Sequence, residues 1–262
     1  MNTLFLGYGK MGQALGNAWL NNQLISTLVA VDPMLDAQQE NYFNRQQDVP
    51  DQAFDLVILA VKPNLAKEVL QQLKPAWIEK ASIISIMAGV STSTLQAHLN
   101  QEHIPVIRVM PNTPVLAQAG CCILYTSAQL SNELKAKIEG LFSAVGYADW
   151  LEHEDDLHAV TALSGSGPAY IHLFTEALQD AGIKLGLSPN LANALAKQTA
   201  YGASLLQNEA NTDVVELRKN VTSPNGTTHA AIETFEKDQQ LRQLVEQALQ
   251  AALNRSIELS QV

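Results

Sequence analysis

Apolar residues along this chain follow two rhythms, and the change between them falls near residue 152. Before it, short apolar runs alternate with stretches of helical spacing. Residues 3–6 form one such run, with β-branched and aromatic character. After it Met11, Ala14, Leu15, Ala18 and Trp19 recur as on one face of an amphipathic helix. Further runs at 28–31, 55–61, 82–87 and 105–110 predict strands. The run at 55–61 is apolar at almost every position, as a parallel strand buried on both faces requires. Helical spacing returns at 65–73, around Leu95 and Leu99 behind a Ser91 or Ser93 cap, and at 130–145; residues 121–125 and 147–151 read as strands. Strands alternating with helices predict an α/β doubly wound sheet. Right-handed crossovers would place the loops after Leu6, Val31, Val61 and Met87 along one edge.

After residue 152 only the helical rhythm remains. Residues 157–163 are helix-like, Ser164-Gly165-Ser166-Gly167-Pro168 interrupts them, and 169–185 continue through Ile171, Phe174, Leu178 and Ala181. Ser188-Pro189 is an N-cap followed by proline at the first helical position. It opens a long helix to about Gln207 with many small residues, Ala192, Ala196, Ala200 and Gly202 among them. A short helix from Thr212 or Asp213 to Asn220, one from His229 and one from about Gln239 to Leu259 complete the reading. The expected organisation is a sheet domain over 1–151 and an all-helical domain over 152–262. Small-residue faces let helices approach closely, either within one chain or against a second copy.

Composition narrows the partners. A formal charge of −10, with acids in both halves, argues against nucleic acid and anionic membranes, which select a basic face. No apolar run nears the ~18 residues of a membrane span. The N-terminal residues enter a strand with no basic flank, so no signal peptide is expected. Cys121 and Cys122 are adjacent and cannot staple distant segments, which points to a reducing compartment, the cytoplasm. They read as small buried residues. The six histidines show no metal-ligand spacing, so no metal is expected. The acidic stretch 153–156 reads as a solvated helix start.

Chemistry enters with Gly7, Gly9 and Gly12, a G-x-G-x-x-G string between the first strand and the first helix. In that context the first glycine permits a tight turn, the second lets backbone approach a pyrophosphate, and the third seats the helix on its strand. The helix N-terminus offers free N–H groups to phosphate. Asp32 follows Gly12 by 20 residues, where a carboxylate meets adenosine ribose hydroxyls; it could equally cap the next turn. Residues 33–36, Pro-Met-Leu-Asp, offer no arginine to a 2′-phosphate, so Asp32 leans towards NADH. Lys62 sits at a strand end facing the ligand crevice. In the helical half, 164–168 and 223–228 are polar, glycine-bearing segments before helices; each can present N–H groups and hydroxyls to a small carboxylate.

Several strings together resemble pyrroline-5-carboxylate reductase, the last enzyme of proline synthesis. They are the glycine loop, Ala60-Val61-Lys62-Pro63, Ala88-Gly89-Val90, Arg108-Val109-Met110-Pro111-Asn112-Thr113-Pro114, Ser164-Gly165-Ser166-Gly167-Pro168-Ala169-Tyr170, and the 223–228 loop, in the family's order over nearly the whole chain. The resemblance implies a Rossmann-type domain followed by a helical dimerisation domain, with homodimers that in some members build rings. It implies reduction of 1-pyrroline-5-carboxylate to L-proline with NADPH or NADH. Gly7, Tyr8, Gly9, Lys10, Met11, Gly12, Asp32, Ala60, Val61, Lys62, Pro63 and Asn220 would then serve the cofactor. Ser223, Gly226, Thr227 and Thr228, with Ser166, would serve the substrate, and the Thr228 hydroxyl would bond or protonate the ring nitrogen. Two departures stand out: Asn225 where the family usually has glycine, and Lys10 where asparagine is frequent. Asparagine tolerates the left-handed backbone region, so the first departure need not alter the loop. The β-hydroxyacid dehydrogenases share the two-domain plan, but they need a lysine on the helix after a glycine motif, and 169–183 contain none. A nicotinamide-binding sensor would have no use for hydroxyl-rich loops in the helical half.

Overall fold

The computed structural model describes residues 1–99, 101, 103–209 and 212–260. Eight strands form a single sheet in the order β3-β2-β1-β4-β5-β6-β7-β8. They are β1 (Asn2–Leu6), β2 (Thr27–Val31), β3 (Tyr42–Phe43), β4 (Leu56–Leu59), β5 (Ser82–Ser85), β6 (Val106–Pro111), β7 (Gly120–Tyr125) and β8 (Gly146–Trp150). All neighbours are parallel except β6 and β7. The expected strands are all present; β3 is additional.

The two-sided burial of the central strands follows from their composition. Along β1, Leu4 and Leu6 enter one core while Phe5 enters the other; along β4, Val57 and Leu59 take the first and Leu56 and Ile58 the second. Helices α1 (Lys10–Asn21) and α5 (Asn132–Ser143) cover one face through Leu15, Trp19, Ile138 and Phe142. Helices α2 (Ala66–Gln71), α3 (Pro75–Ile78) and α4 (Thr92–Leu99) cover the other through Leu70, Trp77 and Leu95. Ser91 is the cap of α4: its hydroxyl accepts from the Thr94 N–H at 3.1 Å. Cys122 is fully buried, and burial, with Cys121 beside it, pushes its thiol up to about 12. At neutral pH it is an inert thiol.

Packing divides the chain at Ser166. The first unit takes Met1–Ser166 and the described residues from Ala252 onward; the second is Gly167–Ala251. Strands end at Trp150, but α6 (Asp156–Val160) and the turn after it pack with the sheet unit. The change of apolar rhythm therefore marks where strands stop, which is 16 residues before the packing changes hands. The second unit contains α7 (Gly167–Lys184), α8 (Pro189–Glu209), α9 (Val214–Asn220), α10 (Thr227–Glu236) and the first part of α11 (Gln240–Ser260). Small residues let α7 and α8 approach: a Cβ on Gly182 would lie 3.4 Å from that of Ala192. Ile171, Leu173, Leu195, Leu206 and Leu244 remain exposed on the single chain. No helix among the described residues is long and apolar enough to cross a membrane.

Two expectations are refined. The helix is interrupted before Pro168 as expected, and the form of the break is a π turn: α6 ends at Val160, Thr161–Gly165 follow, closed by the Ser166 N–H on the Thr161 carbonyl at 2.8 Å, and α7 starts at Gly167 after a bend at Ser166. Pro168 is tolerated because it lies in the first turn of α7, where an N–H would have no helical acceptor. Helix α10 begins at Thr227, two residues before His229, because Gly226 in extended conformation already serves as its N-cap.

Candidate active site

The strand order reverses between β1 and β4, and the carboxyl ends of β1, β2, β4, β5 and β6 share one edge of the sheet. Ligands of such sheets bind in the crevice outside that edge. The glycine loop lies there, and the surroundings of its three glycines differ. Gly7 has φ +88°, and a Cβ on it would lie 2.6 Å from the Ala60 carbonyl oxygen. Gly9 has open space, with no atom within 4 Å of the corresponding position. A Cβ on Gly12 would lie 3.0 Å from the Gly7 carbonyl oxygen. Gly9 caps α1 without a side chain, so the first-turn N–H groups from Lys10 on are left for a ligand. Lys10 is exposed and Met11 is half-buried beside the core.

Tyr8 contributes to this loop through its backbone. Its ring is buried against Phe5 and Tyr42, and its hydroxyl donates to Asn17. Its N–H donates to Asp32 Oδ2 at 2.9 Å, and the other Asp32 oxygen accepts from the Met34 N–H at 3.0 Å. Asp32 thus braces the glycine loop and caps its own turn together. A carboxylate has about four acceptor sites, so capacity for two ribose hydroxyls remains. Asn44 fixes the same turn by donating to the Leu35 carbonyl at 2.8 Å. Arg45, the nearest arginine in sequence, is paired with Asp48 at 2.9 Å. Ala60 and Val61 are half-buried against Gly7, and Lys62 and Pro63 are exposed beyond β4.

Further along that edge the sheet unit holds a buried polar cluster. Arg108 on β6 is 6% exposed and donates to Glu154 at 2.7 Å. The same carboxylate accepts from the Thr92 N–H and hydroxyl, each at 2.7 Å. Burial alone would raise the Glu154 pKa; the bonds from Arg108 and Thr92 outweigh it and hold the carboxyl below its usual range. The acidic stretch 153–156 is therefore solvated at His153, Asp155 and Asp156 but not at Glu154. Asn112, just after β6, is also buried. Its amide oxygen accepts from the Cys121 N–H at 2.8 Å, and its NH₂ donates to the Ser164 carbonyl at 3.1 Å. Ser166 is half-buried at the end of the π turn so held.

In the helical unit the 223–228 segment is a tight turn into α10. The Gly226 N–H donates to the Ser223 carbonyl at 3.0 Å, and Asn225 adopts φ +61°, the left-handed backbone that glycine would otherwise supply. No side chain caps α10, so the N–H groups of Thr227, Thr228 and His229 point out of its first turn. Ser223, Thr227 and Asn220 are exposed, and Thr228 is half-buried.

Comparisons with known proteins agree over the whole chain. Residues 154–259 match the family described as pyrroline-5-carboxylate reductase dimerisation, and residues 3–89 match NADP oxidoreductase, coenzyme F420-dependent. A pyrroline-5-carboxylate reductase of Pseudomonas aeruginosa is 48% identical over 79% of this chain and 75% of its own. The solved structure of a pyrroline-5-carboxylate reductase from Coxiella burnetii is 35% identical, with a TM-score of 0.89 over 99% of this chain and 98% of its own. That of the Plasmodium falciparum pyrroline carboxylate reductase with NADP bound is 30% identical, with a TM-score of 0.84 over the same shares.

Proposed function

The chain belongs to the pyrroline-5-carboxylate reductase family, and from that premise we propose how its residues divide the work. The reaction is the reduction of 1-pyrroline-5-carboxylate to L-proline, the last step of proline synthesis, with a nicotinamide nucleotide. The glycine loop fits such a nucleotide: Gly9 leaves the space a pyrophosphate needs, above N–H groups that no side chain caps. Gly7, Gly12, Lys10 and Met11 shape or border that cradle, with Tyr8 bracing it through its N–H. Ala60, Val61, Lys62, Pro63 and Asn220 complete the nucleotide's surroundings. Bound there, the nucleotide supplies the hydride.

The chain's own part is positioning. A cyclic imine is basic enough to be largely protonated, so its carbon is already electrophilic. Holding it in a productive pose supplies several kcal/mol, up to ~7–11 in favourable cases. The N–H groups of Gly226, Thr227 and Thr228, with the hydroxyls of Ser223 and Ser166, grip the substrate carboxylate. The Thr228 hydroxyl bonds the ring nitrogen. The uncapped start of α10 carries this reading.

Asp32 favours NADH. Its carboxylate would repel a 2′-phosphate, and 33–36 supply no cation to offset it. In Asp32→Ser, relative kcat/KM for NADPH over NADH should rise by on the order of tenfold or more; an unchanged ratio removes the role given to Asp32. Initial rates with pyrroline-5-carboxylate under each nucleotide test the function itself, and no turnover with either refutes it.

The helical part, over 152–262, serves substrate binding and homodimer formation, with larger rings built from dimers. Its exposed Ile171, Leu173, Leu195 and Leu206 support this, since a lone soluble chain rarely leaves so much apolar surface open. The protein would act in the cytoplasm. A monomer by light scattering would remove the assembly.

A further inference from the structure

Two of the strings that identify the family, 108–114 and 164–170, meet through one side chain, and the functions assigned above do not use it. Asn112 lies just beyond β6 and is 8% exposed. Its amide is fully committed in direction. The oxygen faces a donor, the Cys121 N–H at 2.8 Å; the nitrogen faces two acceptors, the Ser164 carbonyl at 3.1 Å and hydroxyl at 3.3 Å. Flipping the amide would set two acceptors and then two donors against each other. Ser164 belongs to the π turn, and Gly165 rests on Met110, the residue two before Asn112, with 3.6 Å from its Cβ position to the sulfur. A π turn holds one residue more than the α-helical ring, so it is seldom kept without an external hold, and it is common at functional sites. Here β6 supplies the hold. Strand β6 ends on the edge of the sheet that carries the glycine loop and residues 60–63.

We propose that Asn112 is a positioning residue for imine reduction: by gripping Ser164 it fixes the π turn that sets Ser166 at the carboxyl edge of β6, where Ser166 meets the substrate. This rests on the reading that Ser166 touches the substrate. Asn112 itself touches neither substrate nor nucleotide.

The decisive variant is Asn112→Asp, which keeps volume and the acceptor for Cys121 but turns a carboxylate oxygen towards the Ser164 carbonyl. The KM for pyrroline-5-carboxylate should rise at least tenfold, while the nucleotide dissociation constant, read by fluorescence titration, changes less than twofold. A lowered melting temperature alone, with KM unchanged, makes Asn112 purely structural and overturns the proposal. If Asn112→Asp does not fold, Asn112→Ser decides: it withdraws the amide from both Ser164 acceptors, and a KM rise of threefold or more with an unchanged nucleotide dissociation constant supports the proposal while an unchanged KM overturns it. Ser166→Ala separates the two layers. An unchanged KM there refutes the contact assigned to Ser166 and with it the purpose given to Asn112. A raised KM there with an unchanged KM in Asn112→Asp refutes the positioning role alone.

Discussion

Glu154→Ala is expected to destabilise the sheet unit by about 3–5 kcal/mol, because it leaves a buried guanidinium without its counter-charge. Arg108 has only 7% of its side chain exposed, and its Nε–H already lacks a partner among the described residues. Glu154 is its ion-pair partner and also closes the start of α4 through Thr92. Glu154→Gln should lose less, since it keeps an acceptor for the Thr92 N–H. Urea unfolding at one protein concentration measures both. The pH dependence has a fixed sign. The Glu154 carboxyl is lowered in the folded state, so its contribution is complete above the unfolded value near ~4.3 and is lost as pH falls through the lower, folded one. The stability gap between wild type and Glu154→Gln should therefore be widest at pH 7 and narrow below about pH 4.3. A gap that stays constant to pH 3 would mean that the charge of Glu154 does nothing for stability.

The second large effect belongs to chemistry. Thr228→Ala should lower kcat by about 10- to 10²-fold, the loss of one hydrogen bond to a charged group at roughly 1.5–3 kcal/mol. Nucleotide affinity should stay within twofold, and the melting temperature should barely move. Thr228 is the second residue of α10, and Gly226 rather than Thr228 is its N-cap. Thr228→Ser, which keeps the hydroxyl, should recover most of the rate. Steady-state kinetics in pyrroline-5-carboxylate at saturating nucleotide make the comparison; unaltered kcat in Thr228→Ala would strip the hydroxyl of its role.

What the sequence disclosed follows from how much of each feature is local. A strand buried on both faces must be apolar at successive positions, so the run at 55–61 announced β4 and its depth. Glycine demands are equally local: φ and the nearest backbone decide them, as Gly7 against Ala60 illustrates. Strand β3 escaped because two half-buried residues, Tyr42 and Phe43, establish no period, and the four-residue α3 is too short for one. The π turn escaped because one extra residue hardly disturbs an apolar spacing that continues on both sides. Glu154 looked like one acid among several, since its burial is decided by Arg108, 46 residues away. A signal for it existed. An arginine in the middle of an apolar strand requires a carboxylate, and that requirement could have been carried forward to the acidic stretch. The backbone of the glycine loop was legible on the same local grounds; the grip of Asn112 on the π turn was not, because it joins segments 52 residues apart.

Helix α11 has a consequence for synthesis. Its residues from Ala252 on belong to the sheet unit, where Ser256 bonds His158 at 2.9 Å and the Leu259 carbonyl closes on Gly89. A ribosome reaches them only after translating all of 167–251, a delay of roughly 4–17 s at ~5–20 residues per second. Through that interval the emerged sheet has His158 without its Ser256 hydroxyl partner and the Gly89 turn without Leu259 beside it. A nonsense codon within α11 would thus injure the part of the protein that was made first.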